Sequence, residues 1–387
     1  MQKQKSVSKR INRTSAITYF AIVVLFVALK ILRHYGCLDF LGKSMGIVLP
    51  IVIQIGLLFS LSMCVMCFST KQSPLEIFRF YGFKKISWKG VLIAIVMGVI
   101  IYVLNVYFST FLNYFLSLIG YTVEGEPSTT YPIGMLFLNL FLSAVLPAVC
   151  EETSHRGMLL NGISSTKKRT TAIIFTAVLF GLLHGNIYQC IYAIAIGLFF
   201  GYISSVMENI YPVIIMHFMN NALSIFMGYS DFHSLGVETI LNYPFTLMNN
   251  NAVLGVMFLI ALIVFLVMLL KLLMGQLFKH TILKQLHGLN DKVLKTMERD
   301  DYFQDLSTIV KSGEIYRLSE LQDYARFKTL FYAYGKEFGF TSKLKNVVGE
   351  EEPVKRDKVA TAFYVTSTVI LGAVVVLEFV LKIIGII

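Results

Sequence analysis

Nine runs of predominantly apolar residues, at about 17–32, 46–68, 90–118, 132–160, 170–184, 187–206, 209–227, 251–275 and 359–381, leave this chain few ways to fold. About 20 such residues in helical conformation cross the ~30 Å hydrocarbon core of a bilayer. With no water in that core, every backbone N–H and C=O must find a partner inside its own segment, which selects helices over open sheets. The pattern therefore predicts an all-α, polytopic membrane bundle of about nine transmembrane helices. The composition agrees, with 56% hydrophobic and 15% charged residues and a mean hydropathy of +0.69 over 387 residues. That is too apolar for a water-soluble domain with one ordinary core.

The placement of charge orients the runs. Residues 1–16 hold Lys3, Lys5, Lys9, Arg10 and Arg13 with no acid. Arg33-His34-Tyr35 follows the first run in place of a small-residue cleavage site, so the run reads as a retained span with a cytoplasmic N-terminus. The connector 69–89 carries Lys71, Arg79, Lys84, Lys85 and Lys89, and Lys167-Lys168-Arg169 ends the fourth run; both read as cytoplasmic. The loops 120–131 and 228–250 lack Lys and Arg and read as external. Residues 276–357 break the composition with many charges, including Glu350-Glu351-Glu352, and read as a small cytoplasmic helical insert. The expected organisation is a basic N-terminal segment 1–16, a bundle 17–275, the insert 276–357 and a C-terminal membrane segment 358–387 ending outside, in a multi-pass protein of the cell membrane. The net charge of +11 serves this topology rather than a basic, aromatic-interleaved face, so no nucleic-acid partner is expected. The five cysteines, Cys37, Cys64, Cys67, Cys150 and Cys190, have neither disulfide-framework nor zinc-finger spacing and read as packing groups.

Ionisable groups inside apolar runs are costly and point to function. Three clusters stand on separate runs: Glu151, Glu152 and Arg156 in the fourth; Phe180 and His184 in the fifth; His217, Asn220 and Asn221 in the seventh. Glu152 and Arg156 are one helical turn apart and can form an ion pair, while Glu151 projects about 100° away toward another partner. Glu151 lies sixteen residues before Lys167 and His184 fifteen after Arg169, so the arms of one hairpin bring them to similar depth, about 22–24 Å from the basic turn. Each piece has an ordinary reading. His184 precedes Gly185 and suits a helix C-terminus, Phe180 suits packing, and His217 with Asn221 suits interhelical hydrogen bonding. His155 suits a position near the interface. The combination is what these readings do not account for.

Glu-Glu-x-x-x-Arg at 151–156, Phe-x-x-x-His at 180–184 and His-x-x-x-Asn at 217–221, in this order on successive apolar segments, resemble the signature of the CPBP family. These are the CAAX-protease and bacteriocin-processing intramembrane proteases, which include Rce1-type prenyl endopeptidases and bacterial Abi proteins. The resemblance covers about residues 130–230; the family often has an aromatic residue just before the motif arginine, where this chain has His155. It implies an endopeptidase acting on a peptide or membrane-protein substrate in the lipid bilayer. It also implies that Glu151 and His184 activate water, that His217 and Asn221 stabilise the oxyanion, and that Glu152, Arg156 and Phe180 organise the site. The residue types themselves supply a base, a proton donor and oxyanion donors. The same types fit zinc held by Glu151, His184 and His217. Metal-free hydrolysis and a zinc cofactor both stand at this level, with the metal-free route preferred because Asn221 beside His217 suits oxyanion stabilisation better than zinc ligation. The Ile-, Lys- and Asn-rich composition resembles a low-GC bacterium, which favours peptide maturation or bacteriocin self-immunity over prenylated substrates. The competing readings are a non-catalytic immunity or scaffold protein of the same fold and a proton-coupled transporter.

Overall fold

The structure is a computed structural model that describes residues 2–121, 132–278 and 357–385. Most of the expected insert 276–357, and the acidic pair Glu124 and Glu126, lie outside the described residues. Among those residues the chain is helical throughout: α1 (Gln2–His34), α2 (Asp39–Thr70), the short α3 (Pro74–Phe80), α4 (Trp88–Ser117), α5 (Ile133–Ser164), α6 (Arg169–Leu183), α7 (Ile187–Met207), α8 (Tyr211–Phe232), α9 (Val237–Asn250), α10 (Ala252–Phe278) and α11 (Lys358–Ile383).

Seven of these, rather than nine, are long and apolar enough to cross a membrane: α1, α2, α4, α5, α7, α10 and α11. The two other expected spans are helices with a reason to fall short. α6 has 15 residues, so it rises only about 22 Å. α8 has 22 residues, but His217, Asn220 and Asn221 dilute its hydropathy. Both carry candidate site residues.

The interior holds two apolar cores. One joins α1, α2, α5, α6 and α11 through Tyr19, Met66, Met158, Leu159, Leu179 and Leu371, with Tyr81 at the end of α3. The other joins α4, α7 and α8 through Met97, Phe200, Met207 and Met216. Large apolar side chains on the outer surface of α10, such as Met257, Phe265 and Met268, are exposed, as suits a lipid-facing helix. α6 and α7 approach closely because Gly181 and Gly197 stand at their contact. A Cβ on Gly181 would lie 2.6 Å from the Cys190 carbonyl, and one on Gly197 would lie 3.2 Å from Ala177.

The end of the bundle that carries the basic connectors is tied by ion pairs. Glu208, after α7, lies 3.7 Å from Lys84 and 3.5 Å from Arg169. Asp357 accepts from Val359 N and Ala360 N to cap α11, and Arg13 of α1 lies 3.3 Å from the same carboxylate. Tyr364 donates to Asn12 Oδ1 at 3.1 Å two turns further along α11. The start of α11 therefore sits beside the start of the first membrane helix.

α5 is not a regular α-helix. It widens into π-helical turns at Phe141–Val145 and Thr153–Leu160, on either side of the acidic pair. Pro147 gives the first widening a physical cause: it has no N–H to offer the Ser143 carbonyl four residues earlier, so the regular ladder is broken there.

Candidate active site

Glu152 has no solvent exposure, and its Oε1 accepts from Arg156 Nη1 at 3.0 Å and from His217 Nδ1 at 2.8 Å. The first contact is the expected one-turn ion pair; the second joins the fourth and seventh apolar runs. Arg156, 1% exposed, also donates to the Gly197 carbonyl at 3.4 Å, and its guanidinium lies over the Phe180 ring at 4.4 Å. A charge buried this deeply needs both the opposite charge and the aromatic face to offset its desolvation. Phe180 also meets the rings of His155, His184 and His217 edge-on, at 5.1, 5.1 and 6.0 Å. It is a hub that fixes four polar side chains at once.

Glu151 faces elsewhere, as the helical offset requires. Its side chain is 14% exposed, and Oε1 accepts from Gln54 Nε2 at 2.8 Å. Its Oε2 stands 3.9 Å from His217 Nε2, beyond direct hydrogen bonding and within the reach of one bridging water. His217 thus lies between two carboxylates, with Nδ1 on Glu152 and Nε2 toward Glu151. His184 caps α6, its Nδ1 donating to the Phe180 carbonyl at 2.9 Å, so the helix-end reading is correct as far as it goes. Because a carbonyl only accepts, that bond fixes the proton on Nδ1, and any chemistry at His184 runs through Nε2.

Asn221 Nδ2 donates to the Ser143 carbonyl at 3.1 Å, the group whose regular donor four residues on, at Pro147, is missing. Asn220 Nδ2 donates to Asn221 Oδ1 at 3.0 Å. The amide is therefore held at both ends, with one N–H of Asn221 still uncommitted by these bonds.

Glu151, His184, His217 and Asn221 line one cavity of about 750 Å³, so residues from three apolar runs do converge. His155 is fully buried within the bundle: its Nδ1 donates to the Glu151 carbonyl at 2.9 Å, and its Nε2 pairs with the Tyr19 hydroxyl at 3.3 Å. It locks the backbone of the acidic pair to α1. Sequence reasoning missed Gln54 and Tyr19; a lone amide in the run Pro50-Ile51-Val52-Ile53-Gln54-Ile55 was the one available signal for Gln54. Among the described residues no group of three His, Cys, Asp or Glu side chains is spaced to hold a metal ion. The set Glu151, His184 and His217 has the right chemistry for zinc but not the convergence, so it does not fit the ion as it stands.

No curated protein and no solved structure matches this chain. A family match is found for residues 133–223, to the type II CAAX prenyl endopeptidase Rce1-like family. The matched segment runs from the first residue of α5 to just past Asn221, so it encloses all three motifs and leaves Gln54 and Tyr19 outside. Residues 133–223 therefore carry an Rce1-like type II CAAX prenyl endopeptidase domain, consistent with the CPBP and CAAX-protease family that the three motifs resemble.

Proposed function

We propose that the protein is an intramembrane endopeptidase that hydrolyses a peptide bond in a membrane-associated protein or peptide, with water activated by Glu151. The observation that carries this reading is the 3.9 Å gap between Glu151 Oε2 and His217 Nε2 at the floor of an open cavity. A water in that gap touches a base on one side and an imidazole on the other. Glu151, oriented by Gln54, takes the proton as the water oxygen attacks the scissile carbonyl. His217, with one proton on Nδ1 held by the Glu152 carboxylate and a second on Nε2, and the free N–H of Asn221 donate to the oxyanion. The leaving amine takes back a proton from Glu151, with His184 Nε2 as the second proton carrier. Glu152, Arg156 and Phe180 hold these groups and do not touch the reacting atoms.

The test works without a known substrate. New protein N-termini are profiled by mass spectrometry in membranes of cells expressing the wild type or Glu151→Ala at equal abundance. Sites that appear with the wild type and vanish with Glu151→Ala support the proposal. Identical profiles sink it and leave the immunity or scaffold reading.

A further inference from the structure

The cavity has a direction. Measured along each helix from the end that carries the basic connectors, at 1.5 Å per residue, Glu151 lies about 20 Å from Ser164 and His217 about 9 Å from Tyr211; the two side chains are 3.9 Å apart, so α8 begins about 10 Å deeper than α5 ends. Phe180 and Ile196 lie level with the site, about 17 Å from Arg169 and Met207, and other lining residues lie further on: Asn105 and Asn113 at about 26 and 38 Å from Trp88, Gln54 and Pro50 at about 24 and 30 Å from Thr70, and Tyr188 about 28 Å from Met207. Between the site and the basic end the bundle is closed. Tyr81, Met97, Met158, Leu160, Met207 and Val213 there are all 1% exposed or less. The opening is at the other end.

That outer arm is polar in a way a lipid-facing wall is not. Asn105, Ser109 and Asn113 recur every four residues, so they form one stripe on α4, and all three line the cavity. Exposure rises along the stripe, from half-buried Asn105 and Ser109 to exposed Asn113. Three such groups facing hydrocarbon would be costly; facing a water-filled cleft they are not. Two further lining residues hold buried acceptors with no partner in the protein, Gln54 Oε1 and Asn220 Oδ1. Buried acceptors call for donors, and a row of carboxamides offers both donors and acceptors at intervals. An extended peptide backbone presents the complementary series of N–H and C=O groups. Among the described residues the lining has no Lys or Arg and one carboxylate, Glu151, so an uncharged stretch of backbone suits it better than a charged chain end.

We propose that this outer arm is a substrate-binding subsite for an internal, extended, uncharged stretch of polypeptide, gripped through its backbone and admitted from the membrane face opposite the basic connectors, the non-cytoplasmic face. The proposal rests on the endopeptidase reading for what happens to the polypeptide, but not for the direction of access. A two-part experiment separates them. In protein whose five cysteines are replaced by alanine, Ser109→Cys and Asn113→Cys are treated with a membrane-impermeant maleimide in right-side-out and in inverted vesicles. Labelling of both positions from the right-side-out face is expected. Labelling from the inverted face alone, or from neither, overturns the proposal whether or not the protein cleaves anything.

The second part uses the cleavage sites lost in Glu151→Ala. They should map to external loops or outer halves of membrane spans, and cleavage there should fall about tenfold in the double variant Asn105→Leu, Asn113→Leu, as two backbone-directed hydrogen bonds are lost, at unchanged protein abundance. Sites confined to cytoplasmic segments, or full cleavage by the double variant, overturn the proposal while leaving the endopeptidase reading intact. If no such sites exist, the endopeptidase reading fails and the labelling result alone decides the direction of access.

Discussion

Asn221 is anchored by a defect that Pro147 creates in a neighbouring helix, through the Ser143 carbonyl 3.1 Å from its amide nitrogen. Restoring an N–H at position 147 gives that carbonyl its regular helical donor and competes with Asn221. Pro147→Ala is expected to lower kcat by about tenfold with thermal stability unchanged or raised, whereas Asn221→Ala costs the larger loss of an oxyanion donor, about a hundredfold or more. Equal activity of Pro147→Ala and wild type, read at the cleavage sites of the native protein, contradicts this link.

Arg156→Ala leaves the Glu152 carboxylate buried with one ionic partner fewer, and its Oε2 already has no hydrogen-bond partner. Loss of one side of such a pair costs about 3–5 kcal/mol, so the variant should show low abundance and a lowered melting temperature in detergent. Arg156→Lys rescues little, because the planar group that reaches Glu152, Gly197 and the Phe180 ring together is gone. Activity loss at wild-type stability would make Arg156 a direct participant.

Glu151→Ala should behave oppositely. Its carboxylate is partly exposed to the cavity, and its loss frees Gln54 without stranding a buried charge, so the melting temperature should stay close to wild type while cleavage falls by several orders of magnitude. Full cleavage by Glu151→Ala would leave water without its base and end the proposed mechanism.

How much of this was open to reading in the sequence follows from distance along the chain. The Glu152–Arg156 pair was legible because both groups sit on one helix, one turn apart, and the common depth of Glu151 and His184 was legible because a short hairpin fixes it. The contact between Glu152 and His217 joins residues 65 positions apart, and Gln54 reaches Glu151 across 97. Nothing local encodes such pairs. His155 looked like an interfacial residue because its own neighbours are polar, but the neighbours that bury it, Tyr19 and Phe180, come from other helices. α6 and α8 fall short of the length and hydropathy that the seven other helices have, since a helix enclosed by others can be shorter or more polar than one facing lipid.

At the basic end, partial burial works upward on the Asp357 carboxyl, but the Arg13 guanidinium and the Ala360 N–H outweigh it and hold its pKa below the ordinary value. A lowered folded-state pKa contributes stability that is complete above the unfolded value, about 3.9, and is lost as pH falls through the folded one. Melting temperature should therefore drop on acidification below about pH 4, and this part of the drop should be absent in Asp357→Asn. An identical acid limb in both proteins would show that the Arg13 contact is not felt.

Topology follows from the same contact. Reporters placed at the N-terminus and within 279–356 are expected on the same, cytoplasmic side, with a C-terminal reporter opposite. Opposite results for the first two would remove a span from between Arg13 and Asp357.

The closed layer formed by Tyr81, Met97, Met158, Leu160, Met207 and Val213 has an electrical meaning as well as a steric one. A wet cleft that pierced the whole bundle would be an ion leak, with a driving force of about 2.3 kcal/mol on each elementary charge at 100 mV. With the cleft blind at Glu151 and His217, water would reach the proposed reacting groups without a conductive path behind them, and an energised membrane would stay insulated during the proposed hydrolysis.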